Sequence, residues 1–191
     1  MLKLYDLPAA ADAPLARIES TTGNLLEIMA ALLFLSREAD PRAPHERTRL
    51  DALLTVLVGD HRHLLDGRDA QFVVGELEPL WVDSPEAILR IVVGNLLRNA
   101  AENSYQGAIR IDLAGNCLRI QDSGQGFDTV AAARRYTRAL RDSTKQGGGQ
   151  GLGLFLIRRV CERFAWTLTM SSTPGQGTLA DIDFGPRLAA D

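Results

Sequence analysis

The chain has 191 residues, 46% of them hydrophobic, a net charge of -3, two cysteines and three histidines. That length and apolar content suffice for one or two domains with a sizeable core. They give no basic footprint for nucleic acid, no apolar run near the ~20 residues of a bilayer span, and no signal-peptide pattern at Met1-Leu2-Lys3. A cytoplasmic domain with Cys117 and Cys161 reduced in apolar segments is therefore expected, free or as part of a longer, inner-membrane-anchored protein.

Residues 1–14, rich in Ala, Pro and Asp, read as a flexible N-terminal segment. From Leu15 the pattern turns helical: Leu15, Ile18, Thr22, Leu25, Met29 and Leu32 form a heptad seam that Leu26, Ile28, Leu33 and Leu35 widen into a bundle face. The chain offers no second long helix of that character, so another chain or a helix outside this one is expected to cover residues 15–39. Asp40-Pro41-Arg42-Ala43-Pro44 opens a linker over 40–47.

Leu50 to Leu65 reads as a helix stopped by Asp66-Gly67, with His61 and His63 on its surface, and Phe72 to Leu77 reads as a strand. Ser84-Pro85-Glu86 predicts a helix start, with Ser84 as N-cap and Pro85 at the first helical position, running towards Glu102. A hairpin follows: Ile109, Ile111 and Leu113 alternate, Ala114-Gly115-Asn116 turns, and Leu118 and Ile120 alternate back to Asp122. Residues 127–148 predict a mobile loop holding a short helix. Leu152 to Phe164 predicts a helix with Leu152, Phe155, Leu156, Val160 and Phe164 inward, and Trp166–Met170 and Thr178–Phe184 predict strands around the Pro174-Gly175-Gln176-Gly177 turn.

Three motifs carry chemistry. Asn95 and Asn99 are one turn apart on an otherwise apolar helix, so their amides share a face and need partners. An amide oxygen of Asn99 suits Mg²⁺, a hard cation that keeps waters beside phosphate oxygens; core hydrogen bonding by both amides is the competing reading. Asp122, ending a strand before Gly124 and Gly126, offers an acceptor to a base amine, and the glycines leave room for a flat ring. Gly149, Gly151 and Gly153 feed an apolar helix through Leu152 and Leu154, so backbone N–H groups and the positive helix end can face phosphate. Alone, the second is an ordinary turn and the third a hinge. One ATP site accounts for all three and for their order.

In these residues the chain resembles the catalytic ATP-binding domain of sensor histidine kinases, within the superfamily that includes gyrase, Hsp90 and MutL. The resemblance covers residues 48–187. Asn95–Ser104 is similar to the family's N box, Asp122–Gly126 to its G1 box and Gly149–Leu154 to its G2 box, and Gly175-Gln176-Gly177-Thr178 matches a further turn. It implies an α/β two-layer sandwich of Bergerat type, a mixed sheet packed on three helices. It also implies ATP with Mg²⁺ on Asn99, Thr178 beside adenine, and a lid between the G1 and G2 boxes. Residues 15–39 then resemble the second helix of the dimerisation and phosphotransfer hairpin, which implies a homodimer and a response regulator receiver domain as partners, and no nucleic acid.

Hydrolytic members of the superfamily carry a Glu one turn before the metal-binding Asn. Here Asn95 stands there, and an amide cannot take a proton from water, which favours phosphoryl transfer to histidine over hydrolysis. Glu102 stands where these kinases often place Lys or Arg. Asn103 replaces an aromatic near the base, a role open to Tyr105. Tyr136 is the nearest lid aromatic, and Arg134, Arg135, Arg138, Arg141 and Lys145 supply lid cations. The acceptor histidine is expected on a helix absent from this chain, since His45-Glu46-Arg47 only faintly echoes an acceptor box. A nucleotide-binding regulatory module without phosphotransfer, and an anti-sigma-type serine kinase, are the alternatives.

Overall fold

A computed structural model describes Met29, residues 46–126 and residues 152–186. Met29 is helical and 51% exposed; the rest of the expected bundle helix, the hinge, the loop over 127–148, and Gly149 and Gly151 lie outside the described residues.

Strand β1 (Arg47–Arg49) leads into helix α1 (Leu50–His61), which tightens into a 3₁₀ turn over Arg62–Leu65. Strand β2 (Asp69–Leu77) and the short β3 (Trp81–Asp83) precede helix α2 (Glu86–Asn103). Then come β4 (Gln106–Ala114), β5 (Cys117–Asp122), helix α3 (Leu152–Phe164), β6 (Thr167–Thr173) and β7 (Gly177–Asp183). Five strands form one sheet in the order β2-β4-β5-β7-β6, and β1 pairs with β3 apart from it. β2 and β4 run parallel and every other neighbouring pair antiparallel, so the sheet is mixed. The parallel pair needs a long crossover, which β3 and α2 supply.

Alternation decides the layers. Ile109, Ile111, Leu113, Leu118, Ile120, Ala180 and Ile182 line up across β4, β5 and β7 and are buried against α1, α2 and α3. The intervening residues form the opposite, wetter face, where Arg119 grips Asp181 through two hydrogen bonds of 2.8 and 2.9 Å. Leu50, Leu53, Leu54, Leu57 and Val58 of α1 are buried as their spacing predicts. Among the described residues, 46–126 and 152–186 form the expected α/β two-layer sandwich, with a mixed sheet on three helices.

Several local expectations differ. Ser84 does not cap α2: its hydroxyl donates to Pro85 O, and Pro85, at φ -56 and ψ 139, is the last non-helical residue. His61 is not a surface residue. It is half-buried, with Nδ1 2.8 Å from Leu57 O and its ring facing Gly94 of α2. Strands β1 and β3 escaped detection, being three residues each. The segment after His45 is therefore strand, with Arg47 paired to Asp83, and not the helix an acceptor box requires. Trp166 precedes β6 and packs in the core, stacked on Phe164 with centroids 4.7 Å apart and edge-on to Phe184 at 4.9 Å. Phe155 and Phe164 are only half-buried, the α3 core positions being Leu156, Ile157, Val160 and Cys161. Cys117 and Cys161 are both free, the first half-buried and the second buried.

The C-terminal turn of α2 matters most for the site. Its last carbonyls have no intrahelical partners. The Arg68 guanidinium, from the loop before β2, donates to Ala101 O at 2.5 Å and Ser104 O at 3.2 Å. It lies 5.1 Å from the Tyr105 ring centroid. A cation there also suits the negative end of the helix dipole. Arg68→Ala should destabilise the domain by about 1–2 kcal/mol in urea unfolding, the worth of a charged hydrogen-bond donor, while Arg68→Lys should recover part of that loss.

Candidate functional site

Asp122 is the last residue of β5 and only 6% exposed. Its Oδ1 accepts the amides of Gly124 at 2.9 Å and Thr178 at 3.2 Å. Burial pushes this carboxyl above its ordinary range, against the opposing pull of those amides and the Thr178 hydroxyl. A buried carboxylate at a strand end, held by fixed donors, is an acceptor awaiting a further donor.

The Asp122–Gly126 loop is clamped from two sides. Gln125 N donates to Asn103 O at 3.2 Å, tying it to the end of α2, and Gly175 N donates to Gln125 O at 2.6 Å, tying it to the β6–β7 turn. The glycines make these approaches possible. A Cβ on Gly124 would strike the Asn103 carbonyl, and one on Gly126, at φ +58, would strike Thr173 O. The N-box helix, the G1 loop and the Gly175–Thr178 turn are thereby one assembly.

The third motif reaches the same place through Gly153. In the first turn of α3 its α-carbon lies so near Asn95 that a methyl there would sit 2.6 Å from Oδ1. Asn95 is 3% exposed, and its Nδ2 donates to Ile91 O at 2.7 Å. Its observed contacts are those of a buried amide holding α3 against α2. Asn99, one turn on, is half-exposed, and its backbone carbonyl accepts Asn103 Nδ2 at 2.7 Å. Asn103 and Glu102 are exposed, and Leu154 is half-buried. Tyr105, open to a role beside the base, is 59% exposed and packs instead beneath Arg68.

Thus Asn95, Asn99, Asn103, Asp122, Gly124, Gly126, Gly153 and Thr178 lie on the C-terminal half of α2, at and just after the end of β5, and at the starts of β7 and α3. The lid residues Tyr136, Arg138, Arg141 and Lys145 lie outside the described residues, as does the side chain of Leu152. Among the described residues no three His, Cys, Asp or Glu side chains gather as a metal cluster. The chemistry fits a cation held by one amide oxygen, with phosphates and water completing the shell. Sequence reasoning missed Arg68, whose partners Ala101 and Ser104 lie far along the chain, and Ser172, which meets Gly177 and Thr178 across the β6–β7 turn; neither belongs to a motif.

This arrangement defines an ATP-binding domain. Residues 85–187 match the family of histidine kinase-, DNA gyrase B- and HSP90-like ATPases, and the chain belongs to it. It is 30% identical over 187 residues to the phosphate regulon sensor protein PhoR of Pseudomonas aeruginosa, a match spanning 93% of this chain and 42% of that protein. It is also 30% identical over 199 residues to the probable sensor histidine kinase TcrY of Mycobacterium tuberculosis, spanning 99% of this chain and 40% of that one. The chain therefore spans less than half the length of these relatives. The fold is similar to that of the Acinetobacter baumannii histidine kinase AdeS, with a TM-score of 0.64 at 18% identity over 94% of this chain and 85% of that one. The described domain is thus an ATP-binding domain similar to those of sensor histidine kinases. Among the described residues no helix is long and apolar enough to cross a membrane.

Proposed function

We propose that this chain supplies the phosphoryl donor of a two-component sensor kinase: it binds magnesium-ATP and presents the γ-phosphoryl group to a histidine on a helix outside this chain. An imidazole nitrogen attacks the γ-phosphorus, the bond to the bridging oxygen breaks, and ADP leaves. The phosphoryl group then passes to an Asp of a response regulator receiver domain. The observation that carries the reading is the convergence of a buried acceptor, Asp122, with two asparagines of α2 and the glycine-led start of α3.

Asp122 accepts the 6-amino group of adenine, and Thr178 stands beside it. Asn99 offers its side-chain oxygen to Mg²⁺, which when bound neutralises charge on the phosphates. Gly153 and Leu154 begin the helix whose N–H groups face the phosphates. Positioning and charge neutralisation then do most of the catalytic work. Asn95 offers no base to activate water, so the γ-phosphoryl group waits for the histidine. The 15–39 segment would pair with a second copy as half of a dimerisation hairpin, and the whole kinase would be cytoplasmic at this end, with or without a membrane anchor.

The test is calorimetric titration with ATP, with and without Mg²⁺, followed by radiolabel transfer to a separately supplied acceptor-histidine helix. Labelled histidine supports the proposal. Label on serine, or tight binding without transfer, would replace it with the serine-kinase or binding-module reading. Asn99→Ala should abolish the magnesium dependence of ATP binding while leaving the melting temperature near wild type; persistence of that dependence would place the metal elsewhere.

A further inference from the structure

Helix α2 carries asparagines at four-residue intervals: Asn95, Asn99 and Asn103. Side chains so spaced follow one another along one face, about 6 Å apart along the axis. The first sits under the start of α3, where a Cβ on Gly153 would press on its Oδ1. The last is joined to the opposite end of the site. Its backbone carbonyl accepts Gln125 N at 3.2 Å, and a Cβ on Gly124 would strike it. The row thus runs from the glycine-led helix start, which suits phosphates, to the loop after Asp122, which suits the base. A nucleotide laid along it brings its ribose, the link between the two, past the last turn of α2.

The Asn103 amide has a fixed sense. Its Nδ2 lies 2.7 Å from Asn99 O. A carbonyl only accepts, so the group facing it must be the NH₂, and Oδ1 is the atom left over. Asn95 makes the same bond, from Nδ2 to Ile91 O, and its Oδ1 is likewise left free to face α3. Asn103 is exposed, and its Oδ1 accepts no hydrogen bond among the described residues. A free amide oxygen selects for a donor. On ATP the adenine amine is engaged by Asp122, and ionised phosphates only accept. The donors that remain are the ribose hydroxyls.

We infer that Asn103 selects the sugar: its side-chain oxygen accepts a ribose hydroxyl, so the site prefers ribonucleoside to deoxyribonucleoside triphosphates. This rests on the ATP-site reading above. The bond to Asn99 O and the bond to the sugar use different atoms of one amide, so the first holds the second in aim. Tyr105, two residues on, does not compete, because it packs against Arg68.

The test is calorimetric titration of wild type, Asn103→Ala, Asn103→Asp and Asp122→Asn with ATP, 2′-deoxy-ATP and 3′-deoxy-ATP, all with Mg²⁺. Wild type should bind ATP about 3- to 10-fold more tightly than the analogue lacking the accepted hydroxyl, the worth of one neutral hydrogen bond. The two analogues show which hydroxyl that is. Asn103→Ala should bring the ratio close to unity. Asn103→Asp keeps an acceptor oxygen and should keep the ratio, even where repulsion of the phosphates weakens all three ligands. Equal affinity of wild type for all three would overturn the inference. So would an undiminished ratio in Asn103→Ala, and with a lowered melting temperature it would mark Asn103 as a helix-end residue only. If wild type fails to bind ATP, or Asp122→Asn binds it as well as wild type, the ATP-site reading itself fails and takes this inference with it.

Discussion

Asp122→Asn is expected to weaken ATP binding about 100-fold, at the upper end of what a hydrogen bond to a charged group contributes, without lowering the melting temperature at neutral pH. The two halves of that expectation have one cause. An Asn oxygen can still accept the Gly124 and Thr178 amides that now bond Oδ1. Its NH₂ group, however, meets the adenine amine donor to donor. As for stability, the Asp122 carboxyl is pushed up by burial. A folded-state pKa above the unfolded one contributes stability that is full below the unfolded value and is lost as pH rises through the folded one. At pH 7 the ionised group is thus a cost, and its neutral isostere removes it. ATP binding runs the other way. It needs the carboxylate, so affinity should fall on acidification at a higher pH than an ordinary Asp would give. Calorimetric titration and melting of the two proteins from pH 5 to 8 decide both halves. A variant that binds ATP normally, or that melts well below wild type, contradicts them.

Gly177→Ala is expected to be among the most destabilising single-methyl changes in the described domain, at about 2–5 kcal/mol, because two penalties add. Gly177 is buried at the start of β7 with φ +86, a region an L side chain resists. Its Cβ would strike the Asp122 carbonyl and lie 3.0 Å from Ser123 Cα. Both obstacles are backbone and neither can rotate away. Relief requires β5 and β7 to separate where Asp122 and Thr178 face each other, so the site should fail together with the fold. Urea unfolding should show the loss and ATP titration a parallel weakening. Gly175→Ala is the control: Gly175 also has positive φ, +81, but a Cβ there meets nothing within 4 Å, so only the conformational penalty of about 1–2 kcal/mol applies.

Much of the architecture was legible in local periodicity. The two-residue alternation of Ile109, Ile111 and Leu113 and of Leu118 and Ile120 places those side chains on one face whatever the rest of the chain does. The Leu50–Val58 spacing does the same for α1. Gly115 at φ +60 in a short link between alternating strands turns the hairpin as expected. The errors came where local preference met a tertiary partner. Ser84 has the composition of a cap, yet its carbonyl accepts Thr48 Oγ1 at 2.8 Å and its hydroxyl turns to Pro85 O, so the helix begins without it. Tyr105 could have served a base, but Arg68 lies over its ring. Strands β1 and β3 are too short for a period to show and exist because each pairs with the other.

By itself the sequence determined the motif chemistry of this protein. An acceptor, an amide pair and a glycine loop in that order follow from residue type and spacing, which are local properties. Only the tertiary structure decided which atoms of those motifs meet. It turned Asn95 inward to Ile91 O and Gly153 and clamped Gln125 between Asn103 and Gly175. It also set Ser172 beside Thr178 through strand register. The Asn95–Gly153 and Asn103–Gln125–Gly175 contacts join residues far apart along the chain, and no local pattern encodes a partner whose distance is fixed by the packing of whole strands and helices.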